Sequence, residues 1–129
     1  MRAITAPDLP EPAGHYAHAT RAGGLLFVSG LRGVRPGTPG AAALDAGAQA
    51  AAVLGRLDRV LAAAGLGPAD VARLGIYITD LAAWPAVNAV GAAHFGAHRP
   101  ARTVVPCPAL HYGSLVEVDA VAAFPESPA

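Results

Sequence analysis

The sequence predicts an α+β fold in which one mixed β-sheet carries two α-helices on one face. Of the 129 residues, 53% are hydrophobic and 14% are charged, which is enough apolar surface for one packed core. Segments with strand and helix patterns follow in the order strand, strand, helix, strand, helix, strand, strand. A helix precedes a strand twice in this order, so we expect both helices on the same face of the sheet. We expect a single domain over residues 1–129.

The N-terminal segment predicts an extended arm followed by a β-hairpin. Residues 1–12 are rich in proline and are expected to form the arm, with one short strand at most. Residues 17–22 can pair with residues 25–29 across a Gly-Gly turn, because glycine tolerates the positive φ angles of a tight hairpin. The unbroken apolar run at residues 25–28 predicts that the second strand of this hairpin is buried on both faces.

The middle of the chain predicts a loop and then a long helix. Residues 33–40 mix glycine with proline and are expected to form the loop. Over residues 44–64, apolar side chains recur at spacings of three and four, which is typical of an amphipathic helix. Asp45 is a suitable N-cap for this helix, and Gly65 stands where helices often end.

The second half of the chain predicts a second helix and three further strands. Residues 71–79 alternate between apolar and polar side chains, which is typical of a strand. The next helix is expected to have Pro85 in its first turn and Gly96 at its end. The predicted elements are a turn at 68–70, strands at 71–79, 102–107 and 115–124, a helix at 84–95, and a tail at 125–129.

Charge and composition argue against several classes of protein. The formal net charge is zero, whereas modules that bind nucleic acid are usually basic, so no nucleic-acid partner is expected. No apolar run has the length of a membrane span, and the N-terminus lacks the hydrophobic region of a signal peptide. The single cysteine, Cys107, cannot form an internal disulfide bond, which fits a reducing cytoplasm. One face of the sheet would remain apolar, and another subunit is the simplest cover for it.

Arg102 and Glu117 are the residues whose positions suggest chemistry. Pro100 stiffens the approach to Arg102 at the start of a strand, so the guanidinium can hold a carboxylate in a fixed direction. Glu117 lies in an otherwise apolar strand, an environment that suits a carboxyl group to proton transfer. Spacing alone leaves two other interpretations open. Glu117 could be a solvent-facing acid on an edge strand, or the two residues could form a structural ion pair.

No metal and no organic cofactor are expected. His94 and His98 have the i, i+4 spacing of zinc ligands on one helix face, but Gly96 is expected to end the helix between them. The glycines of the loop at 33–40 do not have the spacing of a phosphate-binding loop. Cys107 has no cation or helix N-terminus beside it in the sequence, so we expect a buried structural cysteine.

Several segments together carry a resemblance to a known family. They are GHY at 14–16, LFVSG at 26–30, the helix residue Gln49, IYITD at 76–80, VNAV at 87–90, HFG at 94–96, RPART at 99–103 and LVEVDAVA at 115–122. With these segments in this order over residues 13–123, the chain resembles the RidA (YjgF) family of small trimeric imine deaminases. The arginine and glutamate segments are the most specific of the set.

The resemblance implies a chorismate-mutase-like α+β fold and a homotrimer whose sheets pack into a central barrel. It also implies pockets at the subunit interfaces, each built from two chains. In such a pocket, the arginine that matches Arg102 binds the substrate carboxylate and the glutamate that matches Glu117 handles the water. The other residues that match the substrate-binding set are Tyr16, Ser29, Gly30, Thr103 and Val104.

The sequence departs from the family pattern around this pocket. His15 stands in place of a proline, Leu31 in place of a glutamine, and Val104 in place of a cysteine. His111 and Tyr112 replace the Pro-Lys of the turn before the last strand. These differences leave the arginine and the glutamate in place, but they are expected to change the shape of the pocket.

The resemblance implies hydrolytic deamination of imines or enamines derived from amino acids. Substrates of the type of 2-aminoacrylate, 2-iminobutanoate or 2-iminopropanoate would give a 2-oxo acid and ammonia. Two other functions stay open. One is a non-catalytic trimer that binds metabolites or holds unfolded clients, and the other is a ribonuclease, against which the neutral charge argues.

Overall fold

The structure is a computed structural model that describes residues 1–35 and 44–126. Its strands are β1 (Arg2–Ile4), β2 (Ala19–Ala22), β3 (Leu25–Arg32), β4 (Val71–Ile78), β5 (Ala101–Pro106) and β6 (Val116–Ala123). Its helices are α1 (Ala46–Ala63) and α2 (Trp84–Phe95), with short 3-10 turns at Pro68–Asp70, Leu81–Ala83 and His111–Gly113. Residues 36–40 of the predicted loop and residues 127–129 of the predicted tail lie outside the described residues.

The described strands form one mixed sheet in the order β1-β2-β3-β6-β4-β5. Only β4 and β5 run parallel to each other, and α2 connects them, because a parallel pair needs a crossover connection. The β2–β3 hairpin turns at Gly23, whose φ of 60° favours glycine. The predicted α+β sheet is thus confirmed, and β3 continues to Arg32, beyond its predicted end at residue 29.

Both helices cover one face of the sheet, and the core lies between the helices and the sheet. Along β6 the buried side chains alternate with half-exposed ones, so that Val116, Val118, Ala120 and Ala122 face the helices. Asp45 caps α1 as predicted, because its carboxylate accepts a 2.8 Å hydrogen bond from the backbone of Ala48. No helix of the described residues is long and apolar enough to span a membrane.

The prediction that both faces of the β3 strand are buried is wrong within one chain. Leu26 and Val28 are buried on the helix side, whereas Leu25 and Phe27 are 39% and 44% exposed on the other side. The reason is geometric. Successive side chains of a strand point to opposite faces, and both helices pack on the same face. The second face of the sheet, which we call the open face, therefore carries apolar side chains that residues 1–35 and 44–126 leave uncovered.

Gln49 is a fully buried amide that connects three parts of the chain. Its Oε1 accepts a 2.8 Å hydrogen bond from the backbone N–H of Leu115, and its Nε2 donates to the carbonyl of Leu44 at 3.1 Å. Gly33 packs directly on it, since a Cβ at that position would lie 2.8 Å from Cδ of Gln49. Both ends of the amide are satisfied, as a buried polar group requires. The first turn of α1 is thereby fixed to the start of β6.

His18 fixes the N-terminal arm against the sheet. Its Nδ1 accepts a 3.0 Å hydrogen bond from the backbone N–H of Ala6, and its Nε2 lies 2.9 Å from the carbonyl of Pro10. The acceptor role of Nδ1 leaves Nε2 as the nitrogen that carries the proton and donates to Pro10. The arm therefore follows a defined path, and its residues 9–13 form one wall of the cleft described next.

Candidate active site

Glu117 and Gly30 meet at the centre of the open face. Glu117 lies on β6, and its side chain is 22% exposed. A Cβ atom added to Gly30 would lie 2.5 Å from Oε2 of Glu117 and 3.1 Å from its Cδ. A register shift in the β3–β6 pairing between Val28 and Leu31 marks a bulge at this point. Glycine at position 30 therefore gives the carboxylate of Glu117 room beside the backbone.

Arg32 is the direct cross-strand neighbour of Glu117. Its Nε lies 3.2 Å from Oε1 of Glu117, and its guanidinium carbon lies 5.8 Å from the centre of the Tyr112 ring. Sequence reasoning did not identify Arg32. The available signal was its position two residues after Gly30, since residues i and i+2 of a strand share a face. The structure thus pairs Glu117 with Arg32 and not with Arg102, the arginine predicted from the sequence.

A cleft of about 220 Å³ opens next to this ion pair. Three of the predicted substrate-binding residues, Tyr16, Ser29 and Gly30, line it. The hydroxyl of Ser29 donates a 2.6 Å hydrogen bond to the carbonyl of Ala17, so it holds the segment that leads into β2. The remaining lining residues are Leu9, Pro10, Glu11, Pro12, Ala13, His18, Leu31, Arg32 and Arg35.

Arg102 lies in a different cleft, between α2 and β5. Its Nη1 donates a 2.9 Å hydrogen bond to Oδ1 of Asn88, and its guanidinium carbon lies 4.6 Å from the centre of the Trp84 ring. Two residues of α2 therefore fix the direction of the guanidinium, by a hydrogen bond and by a cation–π contact. Within residues 1–35 and 44–126 its other N–H groups have no acceptor, so one edge can receive a carboxylate.

The two residues named for catalysis lie on opposite faces of the sheet. Arg102 pairs with Leu74 across the β4–β5 ladder, on the helix side, whereas Glu117 pairs with Tyr77 on the open face. Val104 shares the face of Arg102, and Thr103 points the other way, where its hydroxyl accepts a 3.0 Å hydrogen bond from Arg73. One chain therefore does not bring the predicted arginine and glutamate together.

Comparison with known proteins places this arrangement in a family. The family model described as Endoribonuclease L-PSP matches residues 6–124. The chain belongs to the RidA/YjgF family. It is 39% identical over 123 residues to the protein DfrA of Myxococcus xanthus, with 94% of each chain covered. It is 33% identical to a RutC family protein of Pyrococcus horikoshii, over 92% of this chain and 94% of the relative.

Further RidA/YjgF relatives include a deaminase by name and several solved structures. The chloroplastic Reactive Intermediate Deaminase A of Arabidopsis thaliana is 29% identical, over 92% of this chain and 64% of the relative. A Thermotoga maritima structure superposes with a TM-score of 0.89 at 28% identity, covering 98% and 99% of the two chains. The Escherichia coli protein TdcF, solved with bound serine, gives 0.85 at 28% identity, with 95% and 98% covered.

A tyrosine–aspartate pair on the open face of this RidA-family chain was not predicted. The hydroxyl of Tyr77 donates a 2.9 Å hydrogen bond to Oδ2 of Asp119 across the β4–β6 pair. Gly75 leaves room for it, since a Cβ there would lie 3.1 Å from Cγ of Asp119. The hydrogen bond to Asp119, followed by the charge of that carboxylate, raises the pKa of Tyr77.

The two histidines considered as zinc ligands, His94 and His98, have structural partners in this RidA-family chain. Nε2 of His94 lies 2.9 Å from Oδ1 of Asp58 on α1, and Nε2 of His98 lies 2.7 Å from the carbonyl of Val71. In the part of the chain that the structure describes, no three histidine, cysteine, aspartate or glutamate residues are grouped as metal ligands. Gly96, with a φ of 60°, ends α2 between the two histidines as predicted.

The prediction of a buried Cys107 is met only in part. Cys107 follows β5 directly and is half-buried rather than fully buried. Its thiol lies 3.6 Å from the carbonyl of Ile78.

Of the residues that depart from the family pattern, Leu31 is half-buried in the wall of the cleft, and His15 is exposed. Tyr112 is exposed in a short turn with a φ of 61°, facing Arg32. Two of these departures, at positions 31 and 112, therefore adjoin the ion pair of Glu117.

Proposed function

We propose that the protein hydrolyses imines and enamines of 2-amino acids to 2-oxo acids and ammonia, in pockets shared by neighbouring copies of a homotrimer. The observation that carries the proposal is the close approach of the Glu117 carboxylate to Gly30 beside an open cleft. A partly exposed carboxylate whose neighbours Gly30 and Arg32 line a cleft can bind a water molecule and accept its proton. The reaction needs no metal or organic cofactor, and we assign it to the cytoplasm.

The opposite orientations of Arg102 and Glu117 support a pocket made by two chains. Each residue is fixed by neighbours of its own chain, Arg102 by Asn88 and Glu117 by Arg32. A second copy of the chain, packed on the open face, can bring its Arg102 towards the Glu117 of the first. The exposed Leu25 and Phe27 give this face the apolar character that a subunit interface requires.

In the proposed reaction, Arg102 of one chain binds the carboxylate of the imine through two parallel hydrogen bonds. This fixes C2 near a water molecule held by Glu117 of the neighbouring chain. Glu117 takes a proton from the water while the oxygen attacks C2, and the C=N double bond becomes the C–N single bond of a carbinolamine. The protonated Glu117 donates this proton to the nitrogen, which completes the neutral carbinolamine. Glu117 then takes the hydroxyl proton and passes it to the nitrogen while the C–N bond breaks and the C=O bond forms, so ammonia and a 2-oxo acid leave and Glu117 is again a carboxylate. Since free imines already hydrolyse in water, positioning and one acid–base group are sufficient.

The named relatives support the substrate class. Reactive Intermediate Deaminase A carries the activity in its name, and TdcF binds serine, an amino acid whose carboxylate is the group that Arg102 would hold. The residues at 99–103 and 115–122 that carry the resemblance are the two segments that supply the proposed arginine and glutamate. Tyr16, Ser29, Gly30, Thr103 and Val104 complete the proposed binding set.

The test is an imine-trapping assay with matched variants. An amino-acid oxidase generates 2-iminobutanoate and 2-iminopropanoate, semicarbazide traps what remains, and absorbance measures the semicarbazone. We expect the wild-type protein to lower its yield, and we expect Arg102→Gln and Glu117→Gln to lose this effect at least about tenfold. The exposed residues Arg2 and Glu126 supply the controls Arg2→Gln and Glu126→Gln, which should keep full activity.

The same assay separates the alternatives. Full activity of Arg102→Gln on a carboxylate-bearing imine would overturn the proposed role of the arginine. A folded wild-type trimer that binds 2-oxobutanoate but leaves the semicarbazone yield unchanged would point to a metabolite-binding protein. Cleavage of RNA that depends on Glu117 would favour the ribonuclease function.

A further inference from the structure

Among the residues that the structure describes, none is a hydrogen-bond partner for one edge of the Arg32 guanidinium. Its Nε side faces Oε1 of Glu117 at 3.2 Å. Within residues 1–35 and 44–126, neither of its Nη groups has a hydrogen-bond acceptor. Arginine offers five N–H donors on two usable edges, so one edge can bind Glu117 while the other binds a second anion. Arg32 also lines the cleft of about 220 Å³, so the second edge is accessible to a ligand there.

Two further arginines lie close to Arg32. Arg35 lines it together with Arg32. Arg56, on α1, donates through Nη2 to the backbone carbonyl of Arg32. Burial, and then the charges of Arg35 and Arg59, lower the pKa of Arg56 to about 10. Two arginines thus line the cleft and a third lies behind the backbone of Arg32, in a chain whose net charge is zero.

Two described acidic side chains, Glu117 and Glu11, lie next to Arg32. Of the acidic side chains that the structure describes, Glu117 is paired with Arg32, and the exposed Glu11 is the only acid that lines the cleft. The cleft has roughly the volume of seven water molecules, so it can hold a small ligand rather than a polymer. The free edge of Arg32 and the size of the cleft together favour a small molecule with a negatively charged group.

We propose that Arg32 binds a second carboxylate, so that the preferred substrate is the imine of an acidic amino acid, a 2-imino dicarboxylate of four or five carbons. This inference rests on the proposed function, in which Arg102 of a neighbouring chain binds the first carboxylate. Glu117 holds the water next to C2, and Arg32 adjoins Glu117, so the side chain of the substrate extends along Arg32. An apolar substrate side chain in this place would displace water from the free edge of Arg32 and would not replace the hydrogen bonds of that water.

The test measures binding separately from turnover. Isothermal titration calorimetry of the trimer compares 2-oxoglutarate, a dicarboxylate product, with 2-oxobutanoate, a monocarboxylate product. We expect 2-oxoglutarate to bind about 10- to 100-fold more tightly, the effect of one charged hydrogen-bonded pair. Arg32→Gln should remove the preference, Arg32→Lys should keep part of it, and Arg2→Gln should leave it unchanged.

Turnover gives the second measurement. The trapping assay is repeated with the imines of glutamate and of 2-aminobutyrate, and we expect the ratio of their kcat/KM values to fall at least about tenfold in Arg32→Gln. Equal affinity of the wild type for both oxo acids, or a preference that survives Arg32→Gln, overturns the inference even if deamination is observed. A lost preference in Arg32→Gln, measured by calorimetry, supports the carboxylate site even if no imine is hydrolysed, so the two proposals fail independently.

Discussion

Gly30 determines where the carboxylate of Glu117 can lie. The nearest atom to a Cβ at this position is Oε2, at the flexible end of the glutamate side chain. A larger residue at position 30 would therefore move the carboxylate rather than the backbone. Gly30 has no side chain that could touch the substrate, so its effect on the proposed reaction comes from the position it gives to the Glu117 carboxylate.

Gly30→Ala should leave the fold intact and lower the activity. We expect kcat/KM for 2-iminobutanoate to fall at least about tenfold, because a displaced base loses its water geometry. The melting temperature should change little, since only a side-chain terminus has to move. Gly24→Ala is the control, because a Cβ there meets nothing within 4 Å. Unchanged kinetics of Gly30→Ala would show that the position of the Glu117 carboxylate does not matter.

The Tyr77–Asp119 pair predicts a pH dependence of stability. In the folded state the hydrogen bond to Asp119 and its charge raise the pKa of Tyr77 above the value of about 10 in unfolded chains. The stabilising contribution is complete below about pH 10 and is lost as the pH rises through the folded-state pKa. Urea unfolding from neutral pH to about pH 11 should show this loss in the wild type but not in Tyr77→Phe.

Tyr77→Phe should also lower the free energy of unfolding at neutral pH by roughly 1 kcal/mol, the net value of one hydrogen bond. Tyr112→Phe is the matched control, because the hydroxyl of Tyr112 has no hydrogen bond in the described part of the chain. A pH profile of Tyr77→Phe that coincides with that of the wild type would contradict the assignment.

At the scale of elements, the exposed side of helix α1 contains a residue that lowers the stability of the helix. Gly55 lies in the middle of this 18-residue helix and is exposed, and a Cβ added there would meet nothing within 4 Å. Glycine costs a helix interior stability because its backbone loses more freedom on folding. The helix stays in place because its buried side packs on β3 and β6 and because Gln49 holds its first turn.

Gly55→Ala should therefore raise the free energy of unfolding by about 0.5–1 kcal/mol, measured by urea denaturation. Gly33→Ala makes the opposite comparison. A Cβ at position 33 would lie 2.8 Å from both Cβ and Cδ of the fully buried Gln49, so this variant should be destabilised. If both substitutions shift stability in the same direction, local packing around the two glycines does not decide their effects.

Elements with a local signal could be predicted from the sequence. Asp45 and Gly96 mark helix ends by their own chemistry, and the alternation around Glu117 places it on the less buried face of β6. The position of Arg32 after Gly30 indicates only the face on which it lies, and the partners of Arg32 and Tyr77 could not be predicted, because they lie on other strands, 85 and 42 residues away. Strand pairing and register decide such contacts, and neither is visible in the local pattern of one segment.

At the scale of the whole molecule, the sheet separates the proposed catalytic groups. Arg102 belongs to the helix side and the edge strand β5, whereas Glu117 belongs to the open face and the central strand β6. In an isolated chain, the proposed carboxylate-binding group and the proposed proton acceptor therefore cannot act on one small substrate. In the proposed trimer, each pocket takes the two groups from different chains.

Mixing two inactive variants tests this division. In a ring of three chains, every trimer that contains both Arg102→Gln and Glu117→Gln has one pocket in which both native residues meet. About three quarters of random trimers are mixed, so refolding equal amounts together should restore about a quarter of the wild-type activity. Each variant alone stays inactive. No recovery in mixed trimers, confirmed by mass spectrometry, would show that the pocket takes both residues from the same chain.

The buried amide of Gln49 has a consequence for amide hydrogen exchange. The N–H of Leu115 precedes β6 and belongs to no strand ladder, yet it donates to a side chain anchored on α1. Its proton can reach solvent only when that helix leaves the sheet, an event close to global unfolding. In NMR exchange experiments, Leu115 should therefore be protected as strongly as the central strands, which makes one loop amide a probe of helix docking.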